Sequence, residues 1–586
     1  MVDVLFINST DKLELRSEAN GTMILATLLL QSGIQAKILR FCQFETFNRD
    51  YNAFIKEITE KIILISPKCI SFCTFWPYYH IMLRIAREVK SINPNIVVVL
   101  GGPQASLTAS ATMDRLDYVD YISTGEGENT IVPFFTAVLK NDREGLKSIP
   151  GLYYRNNNSV CFNSEEIPLY DLNTLPYWDD RLWADDYTES SEKLSSPNYY
   201  MPIDAGRGCP YNCTFCCSSY FWRRTYRLKS AERIIADIKY YKNKFGIRSF
   251  WFSHDAFTTN TNLVQETCNL IIEEELDIVW QCTTRIDLIT EELLLKMKQA
   301  GMNHISLGIE TGSPEMQKRI NKNLDLEKAK KMISFLLKNN IGVTLFFMYG
   351  FPDETEEELR QTVDFFIEQV DNGVSYASMS WCKFNPATAI TEKYFDKLEF
   401  DLNVKILTRG LSFGYNDELS IIKENKPLFS FFYSINTPVR SNYQWLEFFT
   451  YIYQNYSLSI KSLRGLYDGD NLKFYREFYE CNKEIFGKDI HQIEYTLAHD
   501  SLNMLYNLIE SINPPFKKQL KALMKFDRDV QKIKKSKEDI SIQDTYDFSY
   551  IDYQLKLPIE KYSDGKTELL IEKKNGRGSM RVLQIT

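Results

Sequence analysis

GRGCPYNCTFC, residues 206–216, decides how this chain is read. Its three cysteines, Cys209, Cys213 and Cys216, stand at CxxxCxxC spacing, which can hold three irons of a [4Fe–4S] cube and leaves the fourth open. Ferredoxin runs supply four thiolates to a cubane, and zinc knuckles use CxxC pairs in twos to close a tetrahedron. The spacing fits neither pattern. Gly206 and Gly208 before the first cysteine, and Phe215 beside the last, suit a tight loop wrapped around a buried group.

Downstream of Cys216 the hydrophobic pattern alternates between strand and helix. Strands are expected at about 201–205, Ser249–Ser253, Ile278–Thr283, His304–Ile309, Gly342–Met348 and Ala377–Cys382, with helices at about 230–244, 260–275, 290–300, 325–339 and 355–370. Six βα units of this kind predict an incomplete (βα)6 barrel with its working residues at the carboxyl ends of the strands. Those ends are polar: His254-Asp255, Thr284-Arg285, Glu310-Thr311-Gly312-Ser313 and Gly350-Phe351-Pro352-Asp353-Glu354-Thr355. Asp255 has a second reading as a helix cap, and Arg285 as a structural partner of a carboxylate.

Upstream, the first 140 residues alternate in the same way, with expected strands at Val2–Ile7, 36–40, Cys69–Phe72, 95–100 and about 118–123. This predicts a doubly wound parallel sheet, whose ligands lie beyond the carboxyl ends of its strands. The loops there are Asn8-Ser9-Thr10, Ser71-Phe72-Cys73-Thr74, Gly101-Gly102-Pro103 and Gly125-Glu126-Gly127-Glu128. Glycines after the fourth and fifth strands would let backbone approach a large flat ligand. The dinucleotide fingerprint is missing, since no glycine follows the first strand before Gly21.

Together the cysteine motif and these loops resemble the cobalamin-binding part of the radical S-adenosylmethionine (radical SAM) superfamily. The resemblance covers about residues 1–390. It implies a [4Fe–4S] cluster on Cys209, Cys213 and Cys216, SAM at the open iron, and cobalamin on the first domain. GIETGSPEMQ looks like the family's fourth-strand segment, which carries Glu310 and Ser313 to SAM, and GFPDET looks like the fifth-strand turn, carried by Gly350 and Pro352. Phe215, Asp255 and Arg285 complete the implied SAM set. Asn8, Ser9, Ser71, Thr74, Gly101, Gly102, Pro103, Gly125, Glu126 and Gly127 form the implied cobalamin set. Residues 383–390, KFNPATAI, resemble the segment after the sixth strand but place Ala387 where glycine is usual. The DxHxxG with which cobalamin carriers of the methionine synthase type ligate cobalt is absent, because Asp11 is followed by Lys-Leu-Glu-Leu, an absence that some members of the cobalamin radical SAM branch share. His80 lies on another loop and reads as structural, and Cys217 as a bystander.

The chain has 586 residues, a net charge of −8, 12 cysteines, 37 Phe and 35 Tyr. Its length predicts three or more domains: a cobalamin-binding domain at 1–140, an ordered linker at 141–195 with a hairpin around Asn156–Ser159, the radical SAM core at 196–395, and a mostly helical domain at 396–586 that recognises substrate. The scattered cysteines, the strand-like start and the lack of a long apolar run predict a cytoplasmic protein with no membrane partner. The acidic balance argues against nucleic acid. In the last domain the aromatic stripe Phe448, Phe449, Tyr451 and Tyr453 reads as helix core, and residues 525–540 as a solvated helical face with a fraying end. The resemblance implies methylation of an unactivated carbon of a natural product or peptide, through a 5′-deoxyadenosyl radical and methylcobalamin, with electrons from an external flavodoxin- or ferredoxin-type donor. A cyclase or rearranging enzyme that uses cobalamin without methyl transfer, and a cobalamin- or redox-sensing module, stay open.

Overall fold

A computed structural model describes residues 2–10, 20–42, 51–156, 159–182, 199–401, 416–443, 445–486, 503–514, 517–535, 540–546, 567–574 and 577–585. The loop at Asp11 and the turn at 157–158 lie outside the described residues. The chain forms two compact units. The first is Met1–Gly308, Gln317–Val343 and Cys382–Asn436; the second is Ile309–Met316, Thr344–Trp381 and Thr437–Thr586.

The first unit opens with β1 (Val4–Thr10), β2 (Ala36–Cys42), β3 (Cys69–Cys73), β4 (Val97–Gly101), β5 (Tyr121–Ser123), β6 (Leu152–Asn156) and β7 (Ser159–Phe162), in sheet order β2-β1-β3-β4-β5-β6-β7. The first five strands are parallel. Helices cover such strands on both faces, so they read as unbroken apolar runs; Val4, Ile7, Ile70, Val98 and Leu100 are fully buried. The chain winds outward in both directions from β1 and β3, which opens a crevice at the carboxyl edge. The expected turn Asn8-Ser9-Thr10 is instead strand, because β1 keeps pairing with β2 as far as Thr10 and Cys42. The hairpin β6–β7 adds antiparallel strands to the edge of the sheet at β5.

Next come β8 (Met201–Asp204), β9 (Gly206–Arg207), β10 (Arg227–Leu228), β11 (Ser249–Ser253), β12 (Val279–Thr284) and β13 (Met302–Glu310). Within the first unit β8, β11, β12 and β13 pair in parallel in that order. Alternate side chains such as Phe250, Phe252, Trp280 and Cys282 are buried, and Trp280 stacks on Phe252 at 4.5 Å. Four of the helix starts here carry a side-chain cap. Ser230, Asn260, Thr290 and Asp325 accept from backbone N–H groups three residues on.

The second unit holds β15 (Tyr376–Trp381), most of β14 (Gly342–Tyr349), paired with it in parallel, and the helix Glu356–Asp371. The Thr355-x-x-Glu358 sequence makes a full capping box at the start of that helix. The rest is mainly helical. The helix Pro438–Asn442 is followed by the helix Leu446–Asn455, which carries the aromatic stripe. Its core face is Phe449, Ile452 and Tyr453, while Phe448 and Tyr451 are half-exposed. Lys517–Lys535 is a helix, but residues 525–540 are not the solvated face expected, since Phe526, Asp527, Asp529 and Ile533 are buried, and a strand that begins at Ile540 joins Thr567–Lys574 and Arg577–Ile585 in an antiparallel sheet. No described helix is long and apolar enough to cross a membrane.

Candidate active site

The loop carrying the cysteines follows β8 and is pinned by backbone bonds. Thr214 N–H donates to the Ile320 carbonyl at 3.0 Å, Ile390 N–H to the Thr214 carbonyl at 3.1 Å, and Asn321 Nδ2 to the Asn212 carbonyl at 2.9 Å. Cys213 is buried, Cys209 and Cys216 partly so. Burial pushes the thiols of Cys209 and Cys216 up, the latter to about 11, so they become thiolates only when iron supplies the compensating charge. Among the described residues no three His, Cys, Asp or Glu side chains converge on a single metal ion. A cubane places each thiolate on a different iron, so the loop fits a cluster better than a zinc tetrahedron.

Arg285 belongs to this loop's support. Its guanidinium lies 4.0 Å from the Tyr211 ring centre and 3.8 Å from Cys213 Sγ, donates to the Lys322 carbonyl at 2.8 Å, and pairs with Asp287 at 2.9 Å. The structural reading of Arg285 is thus present, with its cation beside a cluster cysteine. Asp255 is exposed and does not cap the next helix; Asn260 does that. Asp255 instead accepts from Ser218 Oγ at 2.6 Å, two residues beyond Cys216. Phe215 is half-buried.

His254, beside Asp255, carried no expected role. Its Nδ1 accepts from Ala256 N–H at 2.8 Å, so the neutral ring carries its proton on Nε2. Burial lowers its pKa, and buried Nε2 has no partner among the described residues. The only sequence signal was its place at a strand end.

The strand-end loops of the second unit are shaped by backbone constraint. Glu310 is buried with φ +69°, and Thr311 N–H reaches back to the Ile309 carbonyl at 3.0 Å. That is a γ-turn in its rare, strained form. Non-glycine residues held there are a mark of functional loops. Ser313 is buried; its hydroxyl accepts from Met316 N–H at 3.3 Å, and thereby caps the short helix Pro314–Arg319. Gly350 has φ +74°, and its N–H donates to Glu354 Oε2 at 2.5 Å. Pro352 is half-exposed. Glu354 is buried, Oε1 has no partner among the described residues, and burial pushes the carboxyl up to about 8.

In the first domain the loops that carry the implied cobalamin set meet at the carboxyl edge of the sheet. Thr74 Oγ1 donates to the Gly101 carbonyl at 2.7 Å and accepts from Ala105 N–H at 2.8 Å; Gly125 N–H donates to Ser106 Oγ at 3.0 Å. Asn8 Oδ1 accepts from Thr22 Oγ1 at 3.3 Å, and Ser71 is buried within β3. Ser9 lies at the end of β1, and Pro103 in the first turn of the helix Gly102–Leu107. The glycines serve the protein's own packing more than expected. Gly102 has φ +86°, and a Cβ there would stand 2.8 Å from Thr74 N; at Gly125 it would meet the Glu166 carboxyl carbon at 2.4 Å. At Gly127 it would touch Leu25 at 3.0 Å, and only Gly101 has ordinary clearance, with nothing closer than 3.7 Å. His80 is buried with its ring against Phe432.

Glu126 turns away from any ligand role in this arrangement. Its Oε1 accepts from Arg207 Nη1 at 2.7 Å, and Oε2 from Arg227 Nη1 at 2.6 Å and Leu169 N–H at 2.8 Å. Arg207 lies two residues before Cys209, so the loop after β5 and the cysteine loop are in direct contact within one unit.

A model of the B12 binding domain matches residues 11–134, and one of the radical SAM superfamily matches residues 203–366. An uncharacterized methyltransferase of Pyrococcus horikoshii is 31% identical over 316 residues, 53% of this chain and 65% of that protein. An anaerobic magnesium-protoporphyrin IX monomethyl ester cyclase of Rubrivivax gelatinosus is 28% identical over 314 residues, 52% of this chain and 55% of that protein. The chain thus spans between half and two thirds of these curated relatives. Among solved structures, the cobalamin-dependent S-adenosylmethionine radical enzyme OxsB with aqua-cobalamin and S-adenosylmethionine has a TM-score of 0.56 at 16% identity, over 91% of this chain and 81% of that one. The radical S-adenosylmethionine methyltransferase TsrM of Kitasatospora setae has 0.53 at 16% identity, over 67% and 76%.

Proposed function

From the premise that this chain belongs to the cobalamin-binding radical SAM superfamily, with a [4Fe–4S] cluster, SAM and cobalamin as its cofactors, we propose that it methylates an unactivated carbon of a small molecule or peptide. The observation that carries this reading is the contact of the cysteine loop with the Gly125–Glu128 loop through Arg207, because such chemistry needs both cofactors at one place. When bound, the cluster passes one electron to SAM, and cobalamin carries a methyl group.

In this reading Cys209, Cys213 and Cys216 hold the cluster, and Arg285 places a cation beside the Cys213 sulfur. Glu310 orients SAM through its carboxylate, on a backbone too constrained to let the side chain drift, while the Ser313 cap and the Gly350 turn shape the adjoining backbone. Phe215 shields the cluster loop. Asn8, Ser9, Ser71, Thr74 and the Gly101–Pro103 and Gly125–Gly127 segments line the cobalamin edge, with Glu126 acting through Arg207 rather than on the ligand. The first domain is residues 1–140, the linker 141–195, the core 196–395 and a substrate-recognising part 396–586. The setting is cytoplasmic, with a flavodoxin- or ferredoxin-type electron donor.

A second reading, a cyclase that uses cobalamin without methyl transfer, is favoured by the similarity to the Rubrivivax gelatinosus cyclase. Counting SAM products under reducing conditions separates the two. Methyl transfer consumes two SAM per turnover and yields S-adenosylhomocysteine and 5′-deoxyadenosine in equal amounts, whereas the cyclase yields 5′-deoxyadenosine without S-adenosylhomocysteine.

A further inference from the structure

The glycines on either side of Arg207 have a packing cause. β9 and β10 pair antiparallel with Arg207 opposite Arg227. A Cβ at Gly206 would stand 2.5 Å from the Arg227 carbonyl oxygen, and one at Gly208, where φ is +87°, only 1.9 Å from that of Thr225. The glycines therefore let β10 press onto the cysteine loop and set two arginines side by side. Like charges opposite one another in a sheet repel. Here three carboxylates answer them: Glu126, which bridges both guanidinia, Glu128, which takes Arg207 Nη2 at 2.7 Å, and Asp204 at 3.4 Å. Trp222 lies about equally far from both cations, at 6.0 and 5.9 Å.

The centre of this network is buried. The Arg207, Glu126 and Glu128 side chains are 9%, 5% and 8% exposed. Burial alone would lower the Arg207 pKa, yet Glu128, Asp204 and Glu126 outweigh it and hold the cation above its ordinary value. A solvated ion pair could stretch through water when either loop shifts. A buried pair of charge-assisted bonds to one rigid guanidinium cannot stretch that way.

We propose that Arg207 is a positioning residue that couples the two cofactor sites, so that filling one changes affinity at the other. The proposal rests on the cofactor reading above. Binding at the Gly125–Glu128 loop shifts Glu126 and Glu128, their shift moves Arg207, and Arg207 moves the backbone two residues before Cys209. Linkage makes the effect reciprocal.

The test is a spectral titration of the full-length protein with aqua-cobalamin, once with its cluster reconstituted and once prepared without iron, with melting temperatures measured alongside. For the parent the two dissociation constants should differ at least about fivefold. In Glu128→Gln the ratio should fall to within about twofold of unity, and Arg207→Lys, which keeps the charge but loses the fork, should fall between. A parent ratio of one overturns the coupling. So does a variant whose melting temperature drops while its ratio stays at the parent value, because the network would then be purely structural. Failure of the parent to bind aqua-cobalamin in either form overturns the cofactor reading itself, and the coupling with it.

Discussion

The cysteine loop after β8 and the loops after β13 and β14 follow the first, fourth and fifth strands of the βα series, yet they are held by different forces. Arg207 and Arg227 fix the first through buried charge, with carboxylates supplied from residues 126, 128 and 204. The loop after β13 shows backbone strain at Glu310 and hydrogen bonds among uncharged groups, while the Gly350 turn after β14 is held at a single point of charge, its carbonyl accepting from Arg440 Nε at 2.6 Å. Thr311 Oγ1 meets Thr362 Oγ1 at 2.9 Å, and Gly312 N–H donates to that same Thr362 hydroxyl at 3.1 Å. Gly312 lets this happen, since a Cβ there would stand 2.4 Å from the Gln361 carbonyl oxygen. A charge network loses much when one member goes. A strained turn loses little stability but changes where a side chain points.

The largest expected effect is therefore on the charged side. Glu126→Gln leaves two buried cations short of a charge and should cost about 3–5 kcal/mol of stability, read by denaturant unfolding. Burial raises the Glu126 pKa, but Arg227 and Arg207 outweigh it and hold the carboxyl below its usual range. Its contribution is thus present above the unfolded-state pKa and disappears as pH falls through the folded one. The difference between parent and variant should shrink in acid; a constant difference from pH 7 to pH 3 would mean that charge is not the cause.

On the strained side, Glu310→Ala should lower SAM affinity by about tenfold to a hundredfold, the cost of one charge-assisted hydrogen bond, with iron content unchanged. Because alanine inherits the same left-handed backbone, stability should barely move. Lower stability with unchanged affinity would remove Glu310 from the site and erase the contrast between the two kinds of loop.

Glu354 sharpens the comparison, as a buried carboxyl without a charge network. Its carboxyl, pushed up to about 8 by burial, keeps its proton when folded but loses it in the unfolded chain above about pH 4.3. The unfolded state then binds fewer protons, so this group lowers stability progressively between about pH 4.3 and pH 8. Glu354→Gln should be more stable than the parent by about 1–3 kcal/mol near pH 8, with the gain fading towards pH 5. A gain independent of pH would point to packing instead.

The smallest effect is expected at Ala387, which has φ +59°. Relief of left-handed strain by Ala387→Gly is worth about 1–2 kcal/mol, offset by about 0.5–1 for the freer unfolded chain. The net gain should be at most about 1.5 kcal/mol in thermal or denaturant melts, and a loss would show that the alanine methyl makes a needed contact.

These cases also show what the sequence could disclose. The apolar runs of β1, β3 and β4 and the caps at Ser230, Thr290 and Thr355 are local signals, so the strands and helix starts were legible. Ala387 in the place of a family glycine was legible too, and its positive φ supplies the reason that glycine is usual there. The Arg207 network was not, because its partners lie 79 and 81 residues away and Arg227 lies 101 residues from Glu126. Periodicity carries no information about pairings of that span. For the same reason Glu126 read as a ligand residue, and Gly206 and Gly208 as wrapping for a cluster. The hairpin β6–β7 was visible as a hairpin, but not its place on the sheet edge, since any exposed edge could have received it.

The most direct test of the proposed function is to reconstitute the full chain anaerobically with iron, sulfide and aqua-cobalamin, add SAM and a low-potential reductant, and count iron and SAM products together. The account predicts one [4Fe–4S] cluster per chain, both 5′-deoxyadenosine and S-adenosylhomocysteine in the parent, and loss of 5′-deoxyadenosine in each of Cys209→Ala, Cys213→Ala and Cys216→Ala. A Cys216→Ala protein that still forms 5′-deoxyadenosine, or a parent that forms it with no S-adenosylhomocysteine, would contradict the account, the first at the cluster and the second at the methyl transfer.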